Sequence, residues 1–423
     1  MYRAASPSSS LDKEVVLEKQ ILETEEYSPD GGLRGWLQVL GAHLLVFNGW
    51  GYLTSFGIFE PYYVSSLNHS PSDIAWIGSI QILFLFGMSI VAGRASDAGY
   101  ARPMILLGVC LQVIGVFTTS VCKEYWQVLL AQGVCQGIGN GIAFTPAYSV
   151  VASYFKRNRV MAMCATSCGT SSGGLIFPAI AETLLPSIGF GWTVRVMGFV
   201  ILFNGIVACL LIRPHVPPRR SGPLVEWTAF KDPIFALYTL GSFFAFWGNF
   251  VAFFFVRTFA QEKFQADDST TFNLLLVMNG IGFPGRIIPA IIADRIGPIN
   301  SVIPAMIILG ILTGCWMAVK SMSGMWAFVV FYGLFSAAMM GLAPASVPSL
   351  SPHISKNGML IGLFFSVASL AGLSGTPIAG RLITIENGKF TGAQAFGCVS
   401  FLVGAMFVYM ARHMHKKSEM NKM

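Results

Sequence analysis

Charged residues are scarce in this sequence of 423 residues. Asp, Glu, Lys and Arg make up 11% of the chain, whereas soluble globular domains contain about 25%. Hydrophobic residues make up 54%, and the mean hydropathy is +0.63. So few charges cannot cover the surface of a water-soluble protein of this size. We therefore predict an integral membrane protein whose main surroundings are the lipid bilayer.

The sequence also lacks the polar and apolar alternation, in segments of about ten residues, that is typical of a membrane-spanning β-barrel. It contains instead twelve apolar runs, each about as long as the 20 residues that cross a bilayer as a helix. Helices satisfy their own backbone hydrogen bonds in lipid. We predict an all-α, multi-pass protein with twelve transmembrane helices.

Signs of metal binding, catalysis and disulfide pairing are missing as well. The eight cysteines show no paired spacing and no histidine partners at ligand spacing. No nucleophile and base, and no ligand cluster, stand together as they do in an active site. We predict that the protein is not an enzyme and uses no metal or cofactor. Basic residues beside membrane helices explain the formal charge of +7, so we predict no nucleic-acid partner.

The basic residues are divided unequally between the two sets of loops. Most of the 27 Lys and Arg residues lie in the tails and in alternate loops on one side, which predicts that this side is cytoplasmic. Both termini are then cytoplasmic, and we expect the plasma membrane to be the location. The sequon Asn68-His69-Ser70 falls in the first loop on the opposite side, so Asn68 is a candidate glycosylation site.

A long polar interruption separates the first six apolar runs from the last six. Similar turns follow the second and eighth runs: GRASDAGYAR at 93–102 and ADRIGPIN at 293–300. Two halves with the same turn indicate an internal duplication, as in transporters. We predict five segments: a disordered cytoplasmic tail (1–34), a six-helix bundle (35–213), a cytoplasmic linker (214–230), a second six-helix bundle (231–412) and a cytoplasmic tail (413–423).

Each repeated turn carries an aspartate, Asp97 or Asp294, at the end of a helix. A carboxylate at this position can pair with Arg102 or Arg295 and hold neighbouring helices together in one state. We predict that these four residues form a conformational latch. The alternative is that they are ordinary loop charges.

Amide side chains recur within the apolar runs. Gln132, Gln136 and Asn140 in the fourth run are spaced by four residues, beside glycines with the same spacing, and so lie on one helical face. Amides are costly against lipid. We predict that this stripe faces a water-filled cavity and contacts substrate, with hydrogen bonding between helices as the alternative. We predict the same substrate role for Asn48 and Asn249.

A permanent charge, Arg286, interrupts the apolar run NGIGFPGRIIPAIIADRIG at 279–297. It lies eight residues from Asp294, or about 12 Å along a helix, and a guanidinium at this depth costs on the order of 3 kcal/mol unless it faces the protein interior. Its planar fork matches a carboxylate. We predict that Arg286 binds an anionic group of the substrate, with Asn279 two turns away. A structural ion pair is the alternative, although no buried acid is obvious.

No Asp or Glu lies in the middle of an apolar run, where proton-driven carriers usually place one. His43, about seven residues into the first run, could titrate near neutral pH. We treat it as a candidate proton site, with hydrogen-bonded packing as the alternative.

These features resemble a known family. The two halves and their repeated turns resemble the major facilitator superfamily. The stretch PDGGLRGW at 29–36 is similar to the first motif of its monocarboxylate porter family, especially the fungal branch. YFKRNRVMAMCATSCGTSSG at 154–173 matches the second motif, with Cys164 in place of a glycine. The resemblance implies two pseudo-symmetric six-helix bundles, alternating access and a functional monomer.

In animal members of this family, an arginine of the eighth helix binds the substrate carboxylate, and that position falls on Arg286. An acid four residues earlier and a lysine in the first helix couple transport to protons, and those positions fall on Gly282 and Thr54. We therefore predict a secondary transporter of a small organic solute, either carboxylate-bearing or a secondary metabolite, without proton coupling. Proton-linked monocarboxylate or riboflavin-type uptake and a transporter-like nutrient sensor are the alternatives.

Overall fold

A computed structural model describes residues 31–215, 227–350 and 356–420. Within these ranges all regular structure is helical, as predicted. The predicted tails and linker lie mostly outside the described residues. Only 31–34, 214–215, 227–230 and 413–420 of those segments are described.

The described part of the first half begins with helices that are broken inside the membrane. Ser55 and Met88 interrupt the first and second crossings, and a π-helical segment at Leu129–Gln136 opens the fourth. The helices are α1 (Gly32–Thr54), α2 (Phe56–Leu67), α3 (Pro71–Gly87), α4 (Ser89–Ala95), α5 (Ala101–Thr119), α6 (Tyr125–Val128), α7 (Gly137–Tyr154) and α8 (Arg159–Leu211).

The second half contains longer uninterrupted helices in its described residues. Its eighth crossing is broken at Ile281, between α10 and α11. The helices are α9 (Pro233–Phe264), α10 (Asp268–Gly280), α11 (Gly282–Ile296), α12 (Pro298–Trp316), α13 (Met322–Ser346), α14 (Asn357–Ile385) and α15 (Thr391–Met420).

The number of crossings follows from helix length. Eight helical stretches of the described chain are long and apolar enough to span a membrane. Two of them, Ser72–Thr119 and Arg159–Leu211, contain 48 and 53 residues, and at 1.5 Å per residue each can cross twice. Gly99 and Gly189, both with positive φ, turn the chain inside them. The stretches 32–67 and 125–154 bring the total to twelve.

Glycines let the fourth crossing pack closely against the second. A Cβ atom at Gly137 would lie 3.1 Å from the carbonyl oxygen of Gln81, and one at Gly133 would lie 3.3 Å from that of Ile77. Gly141 makes a still closer approach one turn later. The glycines beside the predicted amide stripe therefore form a ridge at which backbones meet.

The two halves meet where the second crossing packs on α14 and where the fifth crossing packs on α11. A Cβ atom at Gly358 would lie 2.6 Å from the carbonyl oxygen of Gly93, so the backbones touch at this point. This contact lies beside Asp97, which accepts a hydrogen bond from the Gly358 N–H. Asp294 occupies the equivalent turn of the second half. We call the membrane face at which these two aspartates lie the aspartate face. In the state described here, the halves are in close contact there.

Candidate functional site

Arg286 connects the two halves in the middle of the membrane. Its side chain is 5% exposed. Its Nη1 donates to Ser171 Oγ at 2.7 Å and to the Gly282 carbonyl oxygen at 3.1 Å. Ser171 belongs to the fifth crossing, in the first half, so this hydrogen bond joins α8 to α11. The buried Nε makes no hydrogen bond within the described part of the chain.

No carboxylate bonds to Arg286 among the described residues. Its described hydrogen-bond acceptors, Ser171 Oγ and the Gly282 carbonyl oxygen, are both neutral. The alternative of a structural ion pair is therefore not realised in the described structure. An unpaired guanidinium in a low-dielectric interior attracts an anion strongly.

A small cavity of about 10 Å³ lies against Arg286. This volume is about the space that one water molecule needs, whereas ligand pockets typically have about 300 to 1,000 Å³, so the cavity must widen to admit a solute. Its walls come from both halves of the protein. They are formed by Trp50, Ser171, Phe253, Met278, Asn279, Arg286, Gly333, Ser336, Ala337 and Met340.

The cavity wall carries one positive charge, and the rest of its surface is mostly apolar. It offers one guanidinium, one amide and two hydroxyl groups, and none of its residues is acidic. Trp50 and Phe253 provide aromatic surfaces, and Met278 and Met340 provide flexible, polarizable ones. Such a wall suits an anionic group carried on an apolar or aromatic body.

The absence of a side chain at Gly282 lets Arg286 reach Ser171 in the other half. It lies one turn before Arg286 in α11, and its carbonyl oxygen accepts a hydrogen bond from the guanidinium. A Cβ atom at this position would overlap Ser171 Oγ and would lie 2.6 Å from Arg286 Nη1. Any side chain here, including an acid, would therefore compete with Ser171 for the arginine.

Asn279 lies in the same cavity wall as Arg286, so the structure brings these two predicted residues together. Its Nδ2 donates to the carbonyl oxygen of Leu275 at 3.0 Å. A Cβ atom at Gly174, on the opposite half, would lie 2.8 Å from Asn279 Oδ1. The contacts of Asn279 and Arg286 with substrate stay predictions.

Asn249 stands behind the cavity wall. Its Oδ1 accepts a hydrogen bond from Ser336 Oγ at 2.6 Å, and its Nδ2 lies 3.4 Å from Met340 Sδ. Both partners line the cavity. Asn249 therefore positions two cavity residues and does not itself form the cavity wall.

Asn48 joins two helices within the first half and does not line the cavity. Its Nδ2 donates to the carbonyl oxygen of Ile201 at 3.0 Å, and its Oδ1 accepts from Asn204 Nδ2 at 2.9 Å. Both partners are in the sixth crossing. The neighbouring helix satisfies this amide in the state described here. The contact of Asn48 with substrate stays a prediction.

The three amides of the predicted stripe contact different neighbouring helices, and two of them lie in the π-helical segment Leu129–Gln136. Gln132 accepts a hydrogen bond from Tyr63 OH at 2.6 Å, Gln136 packs on α5 and Asn140 packs on α1. All three amides are buried, and none lines the cavity at Arg286. In this state the three amides contact neighbouring helices, and each keeps at least one polar atom without a described hydrogen bond. Their contact with substrate stays a prediction.

His43 is held by hydrogen bonds within the first half. Its Nδ1 lies 3.1 Å from the carbonyl oxygen of Ala165, and its Nε2 lies 3.0 Å from Ser172 Oγ. Because a carbonyl only accepts, the neutral ring carries its proton on Nδ1 and accepts at Nε2 from the serine hydroxyl. This geometry matches hydrogen-bonded packing, and a proton-carrying role stays a prediction.

The two aspartates of the repeated turns each cap a helix of the opposite half. Asp97 accepts two backbone N–H bonds, at 2.9 and 2.8 Å, from the start of α14. Asp294 accepts two, at 3.1 and 3.0 Å, from the start of α8. The donors are Gly358 and Met359 for Asp97, and Val160 and Met161 for Asp294.

The arginines that we predicted as partners lie elsewhere. Arg102 Nη2 is 3.4 Å from the carbonyl oxygen of Cys209, and Arg295 is exposed. Among the described contacts, neither arginine bonds to Asp97 or Asp294. A helix N-terminus presents unpaired N–H groups and a partial positive charge, so it stabilises each carboxylate directly.

Asn68 ends α2 in a left-handed conformation with φ of 55° and is exposed. It lies at the membrane face opposite the aspartate face. An attached glycan would meet no packed helix there, and its presence stays a prediction.

Sequence reasoning did not identify Ser171, Ser336 and Trp50 as cavity residues. The signal for Ser171 was the cluster of small polar residues, TSSGG at 170–174, inside an apolar run. Such residues are also common where membrane helices pack, so the cluster alone could not assign a partner for Arg286.

Comparisons with known proteins agree with this architecture. A family model described as Major Facilitator Superfamily matches residues 40–376. An MFS-type transporter of Gibberella zeae is 40% identical over 391 residues, which cover 92% of this chain and 89% of that protein. The aspyridones efflux protein apdF of Emericella nidulans is 37% identical over 407 residues, or 96% of this chain and 82% of the other. The agnestins efflux protein AgnL12 of Paecilomyces divaricatus is 32% identical over 391 residues, which cover 92% of this chain and 88% of that protein.

Two solved structures share the fold at low sequence identity. The human organic anion transporter MFSD10 has a TM-score of 0.68 and 14% identity, and the match covers 92% of this chain and 99% of the other. A bacterial homologue of ferroportin, in an outward-facing state, has a TM-score of 0.70 and 14% identity, with 89% and 98% covered. The predicted fold of two six-helix bundles is confirmed. The chain belongs to the major facilitator superfamily and is a multi-pass membrane transporter of small organic solutes, not an enzyme.

Proposed function

We propose that this protein transports a small organic anion with an apolar or aromatic body, and that Arg286 binds the anionic group. The observation that carries this proposal is a guanidinium 5% exposed, with no carboxylate partner among the described residues and an unbonded Nε. Burying an uncompensated charge costs several kcal/mol. A bound anion would remove that cost, so the site favours an acidic solute over a neutral one.

Arg286 exchanges partners during transport in this proposal. The hydroxyl of Ser171 holds the guanidinium while the cavity is nearly closed. A carboxylate forms hydrogen bonds to a guanidinium about twice as strong as those of a neutral acceptor, so an arriving solute displaces Ser171. This exchange frees α11 from α8 and lets the halves move apart around the solute.

Proton coupling is absent in this proposal. The acid that serves coupling in animal monocarboxylate porters is replaced by Gly282, and Thr54 donates to the carbonyl oxygen of Gly51 at 2.7 Å, within its own helix. Neither position carries a group that titrates near neutral pH. Transport then runs down the solute gradient, and export of an acidic metabolite fits the efflux proteins among the relatives.

We also propose membership of the monocarboxylate porter family. Its two sequence motifs touch each other here, which supports the assignment. The Gly31 N–H donates to the carbonyl oxygen of Tyr154 at 3.2 Å. A Cβ atom at Gly35 would lie 3.0 Å from the ring of Phe155, and Trp36 packs edge-on against the same ring at 5.4 Å.

The aspartate face is cytoplasmic in our proposal, with both termini on that side, in the plasma membrane. The excess of Lys and Arg in the loops of this face supports the orientation. We further propose that the monomer is functional, because the cavity is formed entirely by residues of one chain.

Flux measurements with the purified protein in lipid vesicles test the proposed function. Labelled aromatic carboxylates should cross saturably and down their gradient, and an imposed pH gradient should not drive uphill accumulation. Absence of flux for every carboxylated or metabolite candidate would contradict the proposal. Uphill uptake driven by pH would contradict only the uncoupled mechanism, and its loss in His43→Gln would then assign His43 as the proton site.

The proposed latch predicts that Asp97→Asn and Asp294→Asn each shift the protein away from the closed aspartate face. Each change removes a charge at a helix N-terminus, worth about 0.3 to 2 kcal/mol, so the closed population should fall by up to about thirtyfold relative to the open one. Distances between spin labels across that face measure the shift. Asp232→Asn is the control, because Asp232 caps its own helix, α9. Unchanged distances in both latch variants would disprove the latch.

A further inference from the structure

A second concavity lies on the membrane-facing surface of the first half, far from the Arg286 cavity. It runs between α5 and the sixth crossing, in α8, and has a volume of about 820 Å³. Its lining is apolar except for Arg102 and two thiols. None of its residues lines the central cavity, so it serves no step of the proposed transport cycle.

The groove has the length of one lipid leaflet. It begins at Arg102, at the aspartate face, and reaches Ile114 in α5. Twelve residues of helix measure about 18 Å, and half of the hydrocarbon core of a bilayer is about 15 Å. The groove therefore extends from the headgroup region to near the middle of the membrane.

The rims of the groove face the bilayer and not another helix. Leu106, Ile206 and Leu210 line it and are 56%, 51% and 64% exposed. At its floor the helices touch, because a Cβ atom at Gly205 would overlap the side chain of Val109. A groove of this shape is open sideways to lipid and closed towards the protein interior.

The mouth of the groove is basic. Arg102 is exposed, and its described hydrogen bond to the Cys209 carbonyl oxygen is long, at 3.4 Å, which leaves most of its donors available. Arg213 is also exposed and directly follows Ile212, a residue of the groove lining. Two arginines above an apolar groove are complementary to a negatively charged headgroup above an acyl chain.

We propose that this groove binds an anionic phospholipid, with one acyl chain between α5 and the sixth crossing and the phosphate on Arg102. The guanidinium provides preference for an anionic headgroup, and the apolar walls provide most of the contact area. Because both walls belong to one half, the lipid stabilises that half as a unit and stays in place while the halves rock.

Lipid retention by the full-length protein, measured by native mass spectrometry, tests this site. The probes are phosphatidylglycerol and phosphatidylcholine with identical acyl chains. We expect the unaltered protein to bind phosphatidylglycerol at least about fivefold more tightly, because its phosphate is not balanced by a positive headgroup. In Arg102→Gln this preference should fall to about onefold, while Arg295→Gln, an exposed arginine at the same face, should keep it.

A second variant tests the groove itself without changing charge. Ile206→Trp fills the space between the helices and should abolish specific retention of both lipids. Because Ile206 is 51% exposed, the larger ring can turn towards lipid and the fold should survive, which thermal unfolding checks. An undiminished preference in Arg102→Gln, or undiminished retention in Ile206→Trp, would overturn the proposal.

Discussion

Lysine at position 286 should reduce solute transport by at least about tenfold while the protein stays folded. The positive charge is kept, so the membrane fold is not perturbed by a change in charge. An ammonium group cannot reproduce the planar fork of the guanidinium, whose Nη1 bonds to Ser171 and Gly282 while its Nε remains available. Loss of one charge-assisted hydrogen bond to the solute, about 1.4 kcal/mol, is sufficient for a tenfold effect.

Initial rates of carboxylate flux measure this effect, with the amount of folded protein in the vesicles determined in parallel. Arg295→Lys is the matched control, because it makes the same exchange at an exposed site. Flux in Arg286→Lys within twofold of the unaltered protein would remove Arg286 from the substrate site.

Alanine at position 282 should have the second large effect, because one added methyl group separates Arg286 from Ser171. The new Cβ atom would overlap Ser171 Oγ and would lie 2.6 Å from Arg286 Nη1. Overpacking of this kind costs about 1 to 3 kcal/mol, and the cost falls on the state in which the halves are joined. We expect about a tenfold shift away from that state and a matching loss of turnover.

Spin-label distances across the aspartate face, together with flux, measure this shift. Gly280→Ala is the control, because its Cβ atom would meet only the side chain of Leu175 at 3.6 Å or more. Ser171→Ala removes the overlapping oxygen, so the double variant Gly282→Ala/Ser171→Ala should be less impaired than additivity predicts. Equal behaviour of Gly282→Ala and Gly280→Ala would rule out steric competition at this site.

The sequence was sufficient to predict features whose free energy depends mainly on the position of a residue within its own apolar run. A charge in an apolar run must face the interior whatever its neighbours are, so the burial of Arg286 could be predicted from its position alone. The twelve helices followed from the length of the apolar runs for a similar reason. The duplicated turns also marked Asp97 and Asp294 as a pair of related positions, before their contacts were known.

Partners could not be predicted in the same way, because they depend on helix packing. The spacing of Gln132, Gln136 and Asn140 placed them on one helical face, but it could not show which helices pack against that face. Asn48 is paired with Asn204, a residue 156 positions away. The pairing predicted for the aspartates considered only arginine side chains, whereas both aspartates also accept hydrogen bonds from backbone groups at helix starts.

The role of Ser171 also depends on helix packing and not on the neighbouring sequence. Its hydroxyl is one of several in a polar cluster, and only the packing of α8 against α11 selects it as the partner of Arg286. Gly282 is informative in both ways: the sequence showed that an acid is missing there, and the structure shows that the missing side chain makes room for this contact.

The central claim is that Arg286 selects the anionic form of the solute, and binding constants test it most directly. The solute chosen is the carboxylate with the fastest flux. Calorimetry on the purified protein compares the dissociation constant of this acid with that of its uncharged primary amide. We predict that the acid binds at least about tenfold more tightly to the unaltered protein and that this preference disappears in Arg286→Gln. An undiminished preference for the acid in Arg286→Gln would contradict the claim.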